Sequence, residues 1–141
     1  MKWLPQGYEF SLYREKEPGG EYRWHWRSSA MGIPEHETEF RFRTEREARG
    51  DVRRWLRCEA LRLAVMVRGG DGSRNHFRVK DSKGGCFCGA HGAEGKPAAC
   101  APLCKRCAEI GCKIMEQYMP DFKAQLSDAI MRLNLGMKGD R

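Results

Sequence analysis

GGCFCGAHGAEGKPAACAPLCKRCAEIGC, Gly84 to Cys112, holds six of the chain's seven cysteines and one of its four histidines. A stretch like this folds around a metal, around disulfides, or as a small thiol-lined core, and the choice decides the architecture of this half of the chain. The start of the chain, MKWLPQGYEF, has no apolar run of signal-peptide length. No stretch approaches the ~20 apolar residues of a membrane span. The expectation is therefore a cytoplasmic protein without a membrane segment. A reducing compartment and an odd cysteine count both work against disulfides. That favours a metal, with zinc in a structural role expected over scattered core thiols or an Fe–S site.

Zinc takes four N or S ligands in a tetrahedron, usually as two close pairs on tight turns. Cys104-Lys-Arg-Cys107 is a clean C-x2-C pair. It opens a predicted helix, where unpaired backbone N–H groups and the helix dipole stabilise thiolates. The other pair is less regular. Cys86-Phe-Cys88 has one intervening residue, and Cys88-Gly-Ala-His91 has two. Gly89 after Cys88 has the freedom a metal knuckle needs to turn its backbone N–H groups toward sulfur. The expected ligands are Cys86, Cys88, Cys104 and Cys107, with His91 and then Cys100 in reserve for the place given to Cys86. Four thiolates close the coordination shell, which speaks against a catalytic metal. Cys112 lies about 140° round the helix from Cys107 and is not expected to share the ion.

The order of these parts is a knuckle, a loop, then C-x2-C opening an amphipathic helix. In CFCG…LCKRCAEIGCKIMEQ it resembles a treble-clef finger, and in particular the N-terminal zinc-binding domain of the ClpX unfoldase family. The resemblance covers residues 86–119. It implies ligands at Cys88, Cys104 and Cys107. The family's first ligand would fall at residue 85, which is Gly here, and Cys86 stands one place later. No ATPase motor follows. What the resemblance implies is the finger, which in that family dimerises and binds protein partners.

Residues 1–83 form the other expected unit, and 84–141 the zinc-binding finger with its C-terminal helices. In the first unit the apolar residues alternate. YEFSLY sets Tyr8, Phe10 and Leu12 against Glu9, Ser11 and Tyr13; YRWHWR sets Tyr22, Trp24 and Trp26 against Arg23, His25 and Arg27; EFRFR sets Phe40 and Phe42 against Glu39, Arg41 and Arg43. Period-two alternation predicts three half-buried antiparallel strands, with SSAMGIPEHET as a loop between the second and third. Thr44 and Glu47 form a capping box for a helix whose apolar face is Ala48, Val52, Trp55, Leu56 and Leu63. Arg46, Arg49, Arg53 and Arg57 are expected on its solvated face. Phe77 and Val79 suggest a short strand, and residues 65–67 read equally as helix end or hairpin. Cys107, Ile110, Ile114, Met115 and Tyr118 share one face of the finger helix. Pro120 to Gly136 reads as a last amphipathic helix. The expected fold class is α+β: a small three-stranded antiparallel sheet backed by a helix, then a treble-clef-like finger and a C-terminal helix.

The net charge is +7 and most basic residues are arginine, which makes DNA or RNA the first partner to consider. The expected contacts are Arg23, Arg27, Arg41 and Arg43 on the polar face of the strands. Three strands followed by a helix opening FRTEREA is loosely similar to the AP2 and integrase arm-type DNA-binding domains, where such a sheet enters the major groove. The plain alternative is that these arginines pair with Glu9, Glu21, Glu37 and Glu39 across strands. The expected function is a non-enzymatic zinc protein that binds nucleic acid. The second reading is a protein-binding module, a homodimer or a phage-type inhibitor that uses the finger and C-terminal helix. A nuclease using His76 is the least favoured, because His76 has no partner at a known spacing. No small-molecule substrate is indicated.

Overall fold

The computed structural model describes residues 1–69, 74–82, 85–90, 95–119 and 131. Three strands, β1 (Glu9–Lys16), β2 (Tyr22–Ala30) and β3 (Ile33–Glu37), form an antiparallel sheet in that order. Helix α1 (Glu45–Arg62) follows, then a two-stranded antiparallel hairpin of β4 (Ala64–Arg68) and β5 (Asn75–Val79), then helix α2 (Lys105–Tyr118). The fold is mixed α+β. Among the described residues no helix is long and apolar enough to cross a membrane. Of the expected helix from Pro120 to Gly136, only Met131 is among the described residues, and it is helical and exposed.

The first two strands stand where the alternation placed them, with Leu12 opposite Trp26 and Tyr13 opposite His25. The third does not. β3 is Ile33–Glu37, inside the segment expected to be a loop, while Phe42 makes only an isolated bridge to Trp24. Met31-Gly32 explains the difference. Gly32 has φ +76°, and a Cβ there would meet the Lys80 carbonyl at 2.7 Å. A two-residue turn with a left-handed glycine returns the chain directly onto β2, so the nearer segment takes the sheet edge before Glu39–Arg43 can reach it.

Helix α1 starts at the expected cap, with the Glu47 N–H donating to Thr44 Oγ1 at 3.1 Å. Its buried residues are Ala48, Val52, Leu56, Arg57 and Ala60. Val52 and Leu56 pack with Trp26 in a cluster joined by Phe10, Leu12, Phe42 and Trp55, so the helix does back the aromatic face of the sheet. Arg57 departs from expectation. It is buried, not solvated: its guanidinium donates to the carbonyls of Met1 and Trp3, both at 2.8 Å, and to the Tyr118 hydroxyl. Residues 65–67 belong to β4.

A second, larger cluster unites the two halves of the chain. Ile33, Ala60, Val67 and Val79 pack in it with Cys86, Phe87, Cys104, Cys107, Ile110 and Ile114. The α2 residues recur at three- and four-residue steps, so one face of that helix is inside. The N-terminal strip is tied across this core. Trp3 packs on Phe87 and donates its indole N–H to the Phe87 carbonyl at 3.0 Å.

Candidate metal centre

Strand β5 is the scaffold of the site. One edge pairs with β4, with Arg68 opposite Asn75. Its other edge collects the cysteine segment. The Asn75 N–H donates to the Pro102 carbonyl at 2.9 Å, the Cys104 N–H to the Asn75 carbonyl at 2.7 Å, and the Phe87 N–H to the Phe77 carbonyl at 2.9 Å. These bonds flank His76 on both sides along the chain, so Cys88 and Cys104 arrive where its imidazole stands. The buried side chain of Asn75 fixes the loop between the cysteines. It donates to the carbonyls of Ala98 and Ala101 and accepts the Ala98 N–H.

The result is a group of four: His76, Cys88, Cys104 and Cys107, whose ligand atoms all lie within 4.8 Å of one another. His76 Nδ1 is 3.4 Å from Cys88 Sγ and 3.7 Å from Cys107 Sγ. A tetrahedral ion with Zn–S near 2.3 Å and Zn–N near 2.0 Å sets its N and S ligands about 3.5 Å apart. The donor set and its spacing therefore fit a metal ion of that size. Gly69 leaves room for the ring, since a Cβ there would stand 3.0 Å from His76 Nε2.

Of the four expected ligands, Cys88, Cys104 and Cys107 are in the group and Cys86 is not. The turn explains why. The Cys86 N–H donates to the Ala90 carbonyl and the Gly89 N–H to the Cys86 carbonyl, both at 2.8 Å, and Gly89 has φ +92°. Cys86 and Cys88 thus sit at different places in one tight turn. Cys88 is turned to His76, while Cys86 is buried in the larger apolar cluster. Burial, and then the neighbouring Cys88, raise the Cys86 thiol above its ordinary value. Cys100 is exposed and outside the group. His91 lies outside the described residues. The signal for His76 in the sequence was faint: a lone histidine twelve residues before Cys88, on a strand whose neighbour could not be known.

The thiols differ in their readiness to ionise. Burial acts to raise Cys104, but backbone N–H groups of Cys107 and Arg106 and the Cys88 and Cys107 side chains outweigh it and bring it below its ordinary value. This is the helix N-terminus acting on a thiolate. Cys107 is pushed up to about 12, mainly by burial. A metal binding here has to displace its proton.

No family model, curated protein or solved structure matches this chain.

The expected nucleic-acid residues are placed differently from one another. Arg23 pairs with Glu21 at 2.5 Å, and Arg27 with Glu35 at 3.3 Å and Glu37 at 3.2 Å. Arg41 is 3.9 Å from both Glu15 and Glu17. Arg43 is exposed. His25, between Arg23 and Arg27 on the strand, is buried under the Tyr13 ring with Nε2 3.5 Å from Glu15 and 3.4 Å from Glu37. Carboxylates are thus interleaved through this face.

Proposed function

We propose that the protein is a small, non-enzymatic zinc protein in which the ion organises a treble-clef-like finger, and that it binds nucleic acid. The observation that carries the zinc reading is the convergence of His76, Cys88, Cys104 and Cys107. Three thiols and one imidazole are a borderline-soft donor set, suited to zinc rather than to magnesium or calcium. Four protein ligands leave no open position for a substrate, which supports a structural ion over a catalytic one. The nucleic-acid part rests on the net charge of +7 and on its distribution. Residues 1–63 carry 13 basic and 11 acidic side chains, whereas residues 64–119 carry nine basic and five acidic. The excess thus leans toward the half that holds the metal.

Elemental analysis of the purified chain tests the ion. About one zinc per chain is expected, and a chain that folds without bound metal defeats the reading. A mobility shift on DNA and RNA at low salt tests the partner, since phosphate binding weakens steeply with salt.

One observation favours a second reading, a protein-binding module. Cys58, Glu59, Leu61, Arg62 and Met119 line a mostly apolar groove of about 350 Å³ between the end of α1 and the end of α2. Size-exclusion chromatography with light scattering checks for a dimer: a concentration-independent monomer removes the self-association form of this reading.

A further inference from the structure

The end of the molecule around Asn75 gathers basic residues from several parts of the chain. Arg68 lies opposite Asn75 in the hairpin, and Arg74 precedes it in sequence. Lys96 is two residues before Ala98, whose backbone N–H and carbonyl both bond the Asn75 side chain. Lys105 follows Cys104, whose N–H bonds the Asn75 carbonyl. All four are exposed. None has a carboxylate partner among the described residues, in contrast to Arg23, Arg27 and Arg41. One buried asparagine, through its backbone and amide, thus holds the segment that carries Lys96 and Lys105 against the hairpin that carries Arg68 and Arg74.

The four charges exceed what the metal centre needs. Three thiolates and a neutral imidazole around a divalent ion leave about one negative charge. Cations beside it offset that charge, and a positive surplus remains facing solvent. Surface cations with no carboxylate partner among the described residues fit a regularly spaced polyanion, because each can neutralise a phosphate and release its counterion. The paired arginines of the sheet would first have to give up their carboxylates.

We infer that Arg68, Arg74, Lys96 and Lys105 form the phosphate-contacting face for the nucleic-acid backbone, at the metal-bearing end of the molecule rather than on the arginine-rich sheet. This rests on the nucleic-acid reading above. The position of these residues also makes the face dependent on the ion, since two of its segments are the ones the cysteines anchor.

The test compares three zinc-loaded proteins: wild type, R68A/R74A/K96A/K105A, and R23A/R27A/R41A/R43A. Zinc content and the thermal midpoint confirm that each is folded. The probes are labelled duplex DNA of about 20 base pairs, its single strand and the matching duplex RNA, titrated from about 50 to 200 mM salt. The probe bound tightest by wild type identifies the source of the phosphate. On that probe the finger-end variant is expected to lose at least about tenfold in affinity, with the salt slope falling by about three. The sheet variant is expected to lose less than about threefold, as three of its four charges are paired and paired charges contribute little. If the sheet variant loses the binding and the finger-end variant keeps it, this inference is overturned while the nucleic-acid reading stands. If wild type binds no probe at low salt, the nucleic-acid reading itself fails.

Discussion

At the scale of single residues, His76 and Cys86 compete for one place, and the geometry separates them. His76→Ala removes a ligand, so its cost in zinc affinity should exceed the roughly 10–100-fold that follows loss of a hydrogen bond to a ligand. Cys86→Ser is expected to keep about one zinc per chain, with some loss of stability from a hydroxyl in an apolar cluster. Competition with a chromophoric chelator measures both. The opposite ranking would return Cys86 to the site. Cys107 contributes to the pH dependence. With its thiol pushed up to about 12 in the metal-free chain, the proton is still present at neutral pH and must leave when zinc binds. Apparent affinity should therefore fall as pH falls, by about tenfold per unit for each proton displaced. An affinity flat between about pH 8 and 6 would rule this out. Asn75 acts indirectly, through the loop it holds. Asn75→Ala leaves the half-buried Ala98 and Ala101 carbonyls and the Ala98 N–H without that partner, a cost of about 1–3 kcal/mol in denaturant unfolding.

At the scale of elements, two glycines give opposite expectations. Gly32 forms the β2–β3 turn with φ +76°, and an added Cβ would meet the Lys80 carbonyl at 2.7 Å and Val79 Cγ1 at 2.9 Å. Gly32→Ala should destabilise by about 1–3 kcal/mol, because neither the backbone angle nor a packed carbonyl can yield cheaply. Gly111 lies inside α2, where a Cβ would make ordinary contacts at 3.6 Å to Phe77 and 3.7 Å to Leu61. Gly111→Ala should stabilise by about 0.5–1 kcal/mol through helix propensity alone. Thermal unfolding of the two variants decides both signs. The same turn shows why one strand was misplaced by pattern. Phe40 and Phe42 alternate as well as any strand residues, yet Phe40 is 67% exposed, because alternation reports an extended segment and not its pairing. The helix was easier to read. Thr44, Val52 and Leu56 act within one or two turns of each other, so spacing alone placed the cap and the buried face.

At the scale of the whole molecule, the expected boundary at residue 83 is crossed by both the candidate metal site and the larger core. His76 comes from before it and three cysteines from after it, and Ile33, Ala60, Val67 and Val79 share a cluster with Cys107, Ile110 and Ile114. On the proposed zinc reading, removal of the ion should therefore unfold more than residues 84–119. Chelation is expected to lower the melting temperature in one transition that quenches or shifts the fluorescence of Trp3, which sits on Phe87. A finger that melts while Trp3 is unchanged would mean that the two parts fold independently. The sequence by itself determined the local facts: two strands, a capped helix, an amphipathic second helix and three of the four side chains gathered at the candidate metal site. Each depends on residues only a few positions apart, so propensity and periodicity carry them. Tertiary structure alone decided the fourth member, the third strand and the burial of Arg57. Each of these depends on which distant segment arrives beside it. His76 joins the site because β5 bonds to Phe87 and Cys104 across its free edge, and Arg57 is inside because Met1, Trp3 and Tyr118 meet there to accept its hydrogen bonds.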